Sequence, residues 1–209
     1  MRVAHGQYLE PNQRKRQNRR KGLLMKITTI GKGTIGGTLA RLWTSAGHEV
    51  TELGRDGGDA AGADVVLLAV PSSVVADALA GVTNLGAQVI IDATNRLGDE
   101  APPAGYASVA EYVKANTSGP VAKAFNLNFG NLFEQAGSVS ARPNNIWVGD
   151  EGARAAVEQL SHDIGMKALN GGPLEHAAIQ EAFAEMLMSI VRDAGDGLLF
   201  YRFAAPQNL

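Results

Sequence analysis

The stretch whose reading decides the fold is "ITTIGKGTIGGTLARLWTSAGHEVTELGRDGG", residues 27–58. It opens on a short β-rich run and passes through Gly31-x-Gly33-x-x-Gly36. A helical pattern follows, then a second apolar run closed by Leu53-Gly54-Arg55. Over residues 34–46, Ile35, Leu39, Leu42 and Ala46 recur at helical spacing and form one apolar face. Gly47 stands where a left-handed cap would end that helix. A Gly-x-Gly-x-x-Gly match means little by itself in a chain with 25 glycines. Here it leaves a strand, opens a helix and is followed by another strand, which is the setting that binding a dinucleotide pyrophosphate requires. Gly31 suits the tight turn, Gly33 lets the backbone approach the pyrophosphate, and Gly36 lets helix and strand pack closely. Free amide N–H groups and the positive end of the helix dipole then face the phosphate charge.

The tip of the second strand bears on which dinucleotide. A site for NAD places Asp or Glu about 20 residues on, to accept from the ribose 2′-hydroxyl. The tip Leu53-Gly54-Arg55 has no acid, and Glu52 lies within the strand on the face shared with Val50. Arg55 offers a guanidinium for paired hydrogen bonds to a 2′-phosphate, with room above Gly54 and further charge on Lys32. These residues favour NADP over NAD.

Outward from this stretch, β-rich runs recur at 64–70, 88–93, 121–126, 145–149 and 166–171. Helical patterns cover 72–80 and 151–164, and a mostly helical segment runs from Leu174 to about Phe203, bent or broken at Gly195 and Gly197. Residues 94–119 read as irregular. Strands alternating with helices predict an α/β fold: a Rossmann-type doubly wound, mainly parallel sheet with a C-terminal helical element. The link 54–63 is short for a parallel crossover, which needs roughly a dozen residues. It predicts a second helix trimmed to about a turn and a thinly covered face.

A chain of 209 residues suits one nucleotide-binding unit, placed at 25–171, with a C-terminal helical segment at 172–209. Residues 1–24 hold seven basic side chains and one acid, a net +6 that leaves −8 for the rest of a chain whose total is −2. The segment lacks the apolar centre of a signal peptide. Three readings compete: a nucleic-acid or membrane arm, a solvated disordered tail, and, favoured over both, upstream sequence ahead of a start at Met25. Nothing in the charge balance points to nucleic acid. The absence of cysteine excludes disulfides, thiolate metal sites and a catalytic thiol, and fits a reducing cytoplasm. No apolar run approaches the roughly 20 residues of a membrane span, and no histidine–carboxylate spacing suits a metal. His48, at the head of the second strand, is expected at the surface.

The stretches "MKITTIGKGTIGGTLARLWTSAGHEVTELGRD", "DVVLLAVP", "VIIDATN", "VAKAFNLNF" and "GGPLEHAAIQEAFAEM" cover almost everything after residue 24. On them the chain resembles the NADPH-dependent reductase family of the deazaflavin coenzyme F-420, in particular its short NADP-binding oxidoreductase relatives. The "KAFN" strand end and the "GGPLE" helix entry are the most telling. The resemblance implies NADP bound across the strand ends and hydride exchanged with a second flat partner such as a deazaflavin. It implies that Gly31, Lys32, Gly33, Thr34, Ile35 and Gly36 form the pyrophosphate loop and that Arg55 takes the 2′-phosphate. It further implies that Val70 and Pro71 flank the adenosine side, and that Asn95, Ala124, Phe125 and Asn126 line the nicotinamide end. The chain departs from fuller family members in three places. Gly54 replaces a Ser or Thr, an insertion between the second and third strands is missing, and Ala178 replaces an arginine, while Glu181 matches.

Among other polar residues, Asp92 reads as a local backbone cap and Lys123 as a strand-end charge. Asn126 and Asn128 could hold a carboxamide or a substrate carbonyl, or cap a helix. His176 is the one histidine near a substrate pocket. No catalytic residue is assigned, since only Lys123 or Tyr106 is at hand as a proton donor. Hydride transfer to a flavin-like acceptor needs orientation and electrostatics more than a protein acid. A non-catalytic NADPH-binding module or sensor is the alternative, whereas an imine-reductase-type enzyme would need a larger helical domain. The apolar helix from Leu174 predicts a homodimer that completes the substrate cleft.

Overall fold

The computed structural model describes residues 23–96 and 102–208. The basic segment 1–24 therefore lies almost wholly outside the described residues. The elements are, in chain order, β1 (Lys26–Ile30), α1 (Thr34–Ala46), β2 (Glu49–Leu53), β3 (Gly58–Asp59), β4 (Val65–Leu68), α2 (Val75–Ala80), β5 (Val82–Thr83) and β6 (Val89–Asp92). They continue with α3 (Val109–Ala115), β7 (Val121–Lys123), β8 (Asn144–Gly149), α4 (Arg154–Asp163), β9 (Lys167–Asn170) and α5 (Ala177–Ala194).

Seven strands form one sheet in the order β2-β1-β4-β6-β7-β8-β9, parallel throughout except at β7–β8. The chain goes from β1 outward to β2 and then returns to β4 on the other side. This reversal opens a crevice at the carboxyl ends of β1 and β4, where ligands of open α/β sheets bind. The single antiparallel pairing has a second effect. It brings the amino ends of β8 and β9 to the same edge as the carboxyl ends of the parallel strands. β4 is buried along its whole length, as a strand covered on both faces should be. One face packs Ile27, Leu39, Trp43, Leu67, Phe125 and Trp147, and the other packs Ile30, Val66, Leu68, Val75, Ile90 and Val113.

Four sequence expectations change. No helical turn forms in the link 54–63; the chain turns at Gly54–Gly57, and β3 pairs in parallel with β5. Ala60 is fully buried beside Leu53, Val75, Leu79 and Val82, so side chains from α2 and this extended link cover the face. The irregular stretch 94–119 contains α3, whose N-cap Ser108 Oγ accepts the Glu111 N–H at 3.1 Å while the Glu111 carboxylate accepts the Ala107 N–H at 2.9 Å. The last helix stops at Ala194, because Gly195 adopts φ +69 and Gly197 φ +85. The segment beyond folds back over the sheet: the Asn144 N–H donates to the Tyr201 carbonyl at 3.1 Å and the Ile146 N–H to the Tyr201 hydroxyl at 3.0 Å.

The fourth change is His48, which is buried rather than exposed. Its Nδ1 accepts the Met25 N–H at 3.1 Å, so Nε2 carries the proton and donates to Asp163 Oδ2 at 2.9 Å. The N–H at the head of β1 needs a partner away from water, and the ring supplies it. Burial would raise the Asp163 carboxyl, but hydrogen bonds from Gln159, His48 and His162 outweigh it and hold the group below its ordinary range. Among the described residues no helix is long and apolar enough to cross a membrane.

A side chain at residue 36 would meet the Gly31 carbonyl oxygen at 2.1 Å, whereas one at residue 33 meets nothing within 4 Å. Gly36→Ala should therefore cost about 1–3 kcal/mol of stability by overpacking. Gly33→Ala should stay within about 0.5 kcal/mol of the parent. Scanning calorimetry on the ligand-free protein reads both, and equal midpoints for the two variants would contradict the close approach.

Candidate functional site

The glycine loop joins β1 to α1. Gly31 has φ +108, and its N–H donates to the Leu53 carbonyl at 3.0 Å; a β-carbon there would lie 2.3 Å from the Ala69 carbonyl oxygen. Gly31 and Gly36 are thus demanded by the protein's own packing. Gly33 is not, and its space is free for a group that presses on the backbone. No side chain caps the amino end of α1, and its first turn has no acid. The orphan N–H groups and positive dipole end of that helix face the crevice without competition.

Lys32 and Arg55 stand at the outer end of the loop. A β-carbon on Gly54 would lie 3.7 Å from Lys32 Cε, so the lysine stem runs across this glycine toward the β2 tip. Both side chains are exposed, and neither has an ion-pair partner among the described residues, Asp56 included. Val70 borders the loop, with Cγ1 3.1 Å from the position a Gly31 β-carbon would take, and Pro71 follows it at the surface.

A cavity of about 270 Å³ lies at the other end, lined by Ile35, Asn95, Asn126, Asn128, Leu187 and Met188 among others. Ile35 belongs to both loop and cavity, so the two are contiguous. Asn126 Nδ2 donates to Asn95 Oδ1 at 2.9 Å, Asn95 Nδ2 to the Asn126 carbonyl at 2.5 Å, and Gln180 Nε2 to Asn126 Oδ1 at 2.6 Å. These bonds fix the amide orientations and leave Asn95 and Asn126 each a second N–H without a partner among the described residues. Asn128 Nδ2 donates to the Asn144 carbonyl at 3.1 Å and to the Tyr201 hydroxyl at 3.3 Å, while its Oδ1 is buried and unpartnered. A buried carbonyl without a donor costs about 1–3 kcal/mol. Two spare amide donors therefore belong to side chains that line the cavity, and a ligand carbonyl there would satisfy either.

The kink that makes this possible is Phe125, buried at φ +63, a left-handed conformation rare outside glycine. Its N–H donates to Asn145 Oδ1 at 3.0 Å, and its ring meets Trp43 edge-on at 5.6 Å. Packing holds a conformation that would otherwise cost about 1–3 kcal/mol. It sends Asn126 to the cavity while the Ala124 and Phe125 side chains stay in the core beneath. Burial pushes the Tyr201 phenol up to about 12, against the opposing pull of the Ile146 and Asn128 N–H groups, so it is neutral.

Sequence reasoning missed an ion cluster behind the cavity. Lys123 is fully buried, with Nζ 2.7 Å from Asp92 Oδ2 and 2.8 Å from Glu181 Oε1. Glu181 also accepts the Val109 N–H at 3.1 Å and pairs with Arg96, while Asp92 Oδ1 accepts the Thr94 N–H at 2.9 Å. Asp92 does cap locally, through the Thr94 N–H, and Lys123 does end β7, but neither reading contains the buried ion pair between them. The cluster ties α5 to β6, β7 and α3, and so fixes the helix that supplies Gln180, Leu187 and Met188. The one sequence signal was Glu181 at its place in the helix after "GGPLE". His176 and Tyr106 lie outside the cavity: His176 bonds the Gly171 carbonyl at 2.8 Å, and Tyr106 packs edge-on against Tyr112 at 5.3 Å.

No family model and no curated protein matches the chain. Solved structures do. A protein from Arthrobacter sp. FB24, provisionally assigned as an F-420-dependent NADP reductase, superposes with TM-score 0.73 at 22% identity over 87% of this chain and 100% of its own. A hypothetical protein from Sinorhizobium meliloti gives TM-score 0.57 at 22% identity over 77% and 91%. A reductive aminase from Aspergillus terreus, in complex with NADPH and ethyl-5-oxohexanoate, gives 0.60 at 15% over 83% and 64%. At these identities the likeness is one of fold, and it agrees with the Rossmann-type sheet described above.

Removing the buried ammonium leaves two carboxylates facing each other in the dark of the fold. Lys123→Met should cost about 3–5 kcal/mol, read as a lower urea midpoint at pH 7. A loss under about 1 kcal/mol would contradict the buried cluster.

Proposed function

We propose that the protein is an NADP(H)-dependent oxidoreductase that passes hydride between NADP(H) and a small flat acceptor of the flavin or deazaflavin type. The observation that carries this reading is the division among the three glycines. Gly31 and Gly36 answer to packing, while Gly33 fronts open space beneath an uncapped helix. In this reading the amides of Lys32, Gly33, Thr34, Ile35 and Gly36 hold the pyrophosphate. Arg55 and Lys32 share the 2′-phosphate, and Val70 and Pro71 flank the adenosine. Asn95 and Asn126 orient the nicotinamide carboxamide over a floor set by Ala124 and Phe125. The resemblance to deazaflavin reductases and the NADPH named for fold neighbours support the cofactor class.

Bound NADPH supplies the hydride. The chain's own residues bind, align and exclude water, with Leu187 and Met188 walling the cavity from the α5 side. No residue lining the cavity titrates. A carbonyl or imine acceptor would want a positioned proton donor, and a flavin-type acceptor does not. A nucleotide-binding module without turnover would bind NADPH yet oxidise it with no acceptor. Work in a reducing cytoplasm fits the cysteine-free composition.

The cofactor test is a fluorescence titration with NADPH and NADH. NADPH should bind far more tightly, and Arg55→Ala should weaken it about tenfold to a hundredfold while NADH changes little. Equal affinity for the two in the parent protein would remove the roles given to Arg55 and Lys32.

The reading includes a homodimer through α5. Ile179, Met186 and Ile190 form one stripe of that helix and are 66%, 50% and 47% exposed, a large apolar face on the same helix whose Leu187 and Met188 line the cavity. Light scattering after size exclusion should give a dimer, and Met186→Glu with Ile190→Glu a monomer. A monomeric parent would contradict this part of the proposal.

A further inference from the structure

A second cavity, of about 280 Å³, lies between the amino ends of β8 and β9 and the segment that returns after α5. It shares no lining residue with the cavity beside the glycine loop. Arg142, Asn144 and Lys167 line it from the sheet edge, Arg202 and Phe203 from the returning segment, and no carboxylate does. All three cations are exposed, and none has an ion-pair or side-chain hydrogen-bond partner among the described residues. By contrast, Lys26, Arg41, Arg96, Lys114, Lys123 and Arg154 each pair with an acid. Like charges around one opening repel, so the fold holds these three together at a cost. The cavity also has a neutral donor to spare. Asn144 is 1% exposed, its Oδ1 accepts the Phe203 N–H at 2.5 Å, and its Nδ2 has no partner among the described residues. A buried amide left this way calls for an acceptor from outside the chain.

We propose that this cavity is an effector site for a free multivalent oxyanion, a polyphosphate or a tricarboxylate, which pins the C-terminal segment to the sheet. The site is separate from cofactor and acceptor, and it stands whether or not the protein transfers hydride. Two guanidiniums and an ammonium suit such an anion. The arginines give forked bonds, the lysine a point charge and the Asn144 amide a neutral donor. No single element supplies this set. Arg142 and Asn144 belong to the head of β8 and Lys167 to the head of β9, whereas Arg202 comes from beyond α5. The anion therefore bridges two parts of the chain. Gly195 and Gly197, at φ +69 and +85 with open space where a β-carbon would stand, give the returning segment a compliant root. Unliganded, that segment is tied down by Tyr201 and by the Phe203 N–H, against repulsion between Arg202 and the sheet cations. A shared counterion turns the repulsion into attraction. The effect reaches the neighbouring cavity through one residue: the Tyr201 hydroxyl accepts the Asn128 amide at 3.3 Å, and Asn128 lines that cavity.

Trypsin cuts after Arg202, so release of the peptide that begins at Phe203, followed by mass spectrometry, reads the pinning directly. Inorganic tripolyphosphate is added to the full-length protein at an ionic strength of about 0.1 M, and citrate in a parallel arm. At least one should bind with a dissociation constant of about 0.1 mM or tighter by calorimetry. The same anion should slow the cut after Arg202 at least about tenfold. The tighter arm names the source, phosphate or carboxylate. Arg142→Ser with Lys167→Gln keeps the cut bond, changes only exposed side chains, and should abolish both effects. Arg55→Ala should leave both unchanged, which separates this site from the β2 tip. Protection by neither anion overturns the proposal, and so does binding without protection. Protection that survives the double substitution, that depends on Arg55, or that sodium chloride equals at matched ionic strength overturns it too.

Discussion

The carbonyl oxygen of Gly31 occupies the place where a side chain on residue 36 would have to go. That contact lets α1 start directly on the end of β1, and the rest of the ligand-binding edge follows from it. A helix begun so close to the strand points its first N–H groups into the crevice where the sheet reverses direction. No side chain turns back to cap them, because the N-cap is Gly33 and the first turn has no acid. The protein thus leaves a set of donors and a dipole end unsatisfied at one point, with Lys32 and Arg55 free beside it.

The far side of the edge is organised by two other devices. The antiparallel entry of β8 carries Asn144 and Asn145 up to the strand ends, where Asn145 holds the Phe125 kink and Asn144 braces the returning tail. The Lys123 cluster then clamps α5 across β6 and β7. Buried ion pairs are seldom the cheapest way to stabilise a fold, since apolar groups of the same volume often do as well. What this one confers is position: it sets the helix whose polar side fixes the Asn95–Asn126 pair through Gln180. The opposite side of that helix is left as an apolar surface.

How much of this was legible in the sequence depended on the range of the forces involved. Continuous apolar runs and the glycine spacing declare themselves within a few residues, and the strands of the main sheet and α1 fell close to where those patterns put them, except that the strand read over 121–126 stops at Lys123, ahead of the Phe125 kink. The short α3 was hidden among glycines and prolines, although Ser108 and Glu111, three apart, carried its capping signal. The link 54–63 looked like a shortened helix because crossovers usually hold one; two residues of β3 found a partner in β5 instead. Gly195 ended the last helix as its chemistry suggested, but nothing local showed that the Tyr201 hydroxyl would be needed by the Ile146 N–H. His48 and Lys123 were misplaced for one shared reason. Each is buried against partners far away in the chain, Asp163 for the first, Asp92 and Glu181 for the second. Side-chain polarity alone predicts solvent.

In the proposed function, two cations at the β2 tip, unpaired among the described residues, receive the extra phosphate that distinguishes NADP from NAD. Phosphorus NMR of NADP⁺ bound to the protein, followed across pH, tests it most directly. The free 2′-phosphate takes up its last proton near pH 6, as phosphate monoesters do. Clamped by Arg55 and Lys32, its resonance should stay that of the dianion to a pH at least about one unit lower. A bound 2′-phosphate that titrates where the free nucleotide does would contradict the account.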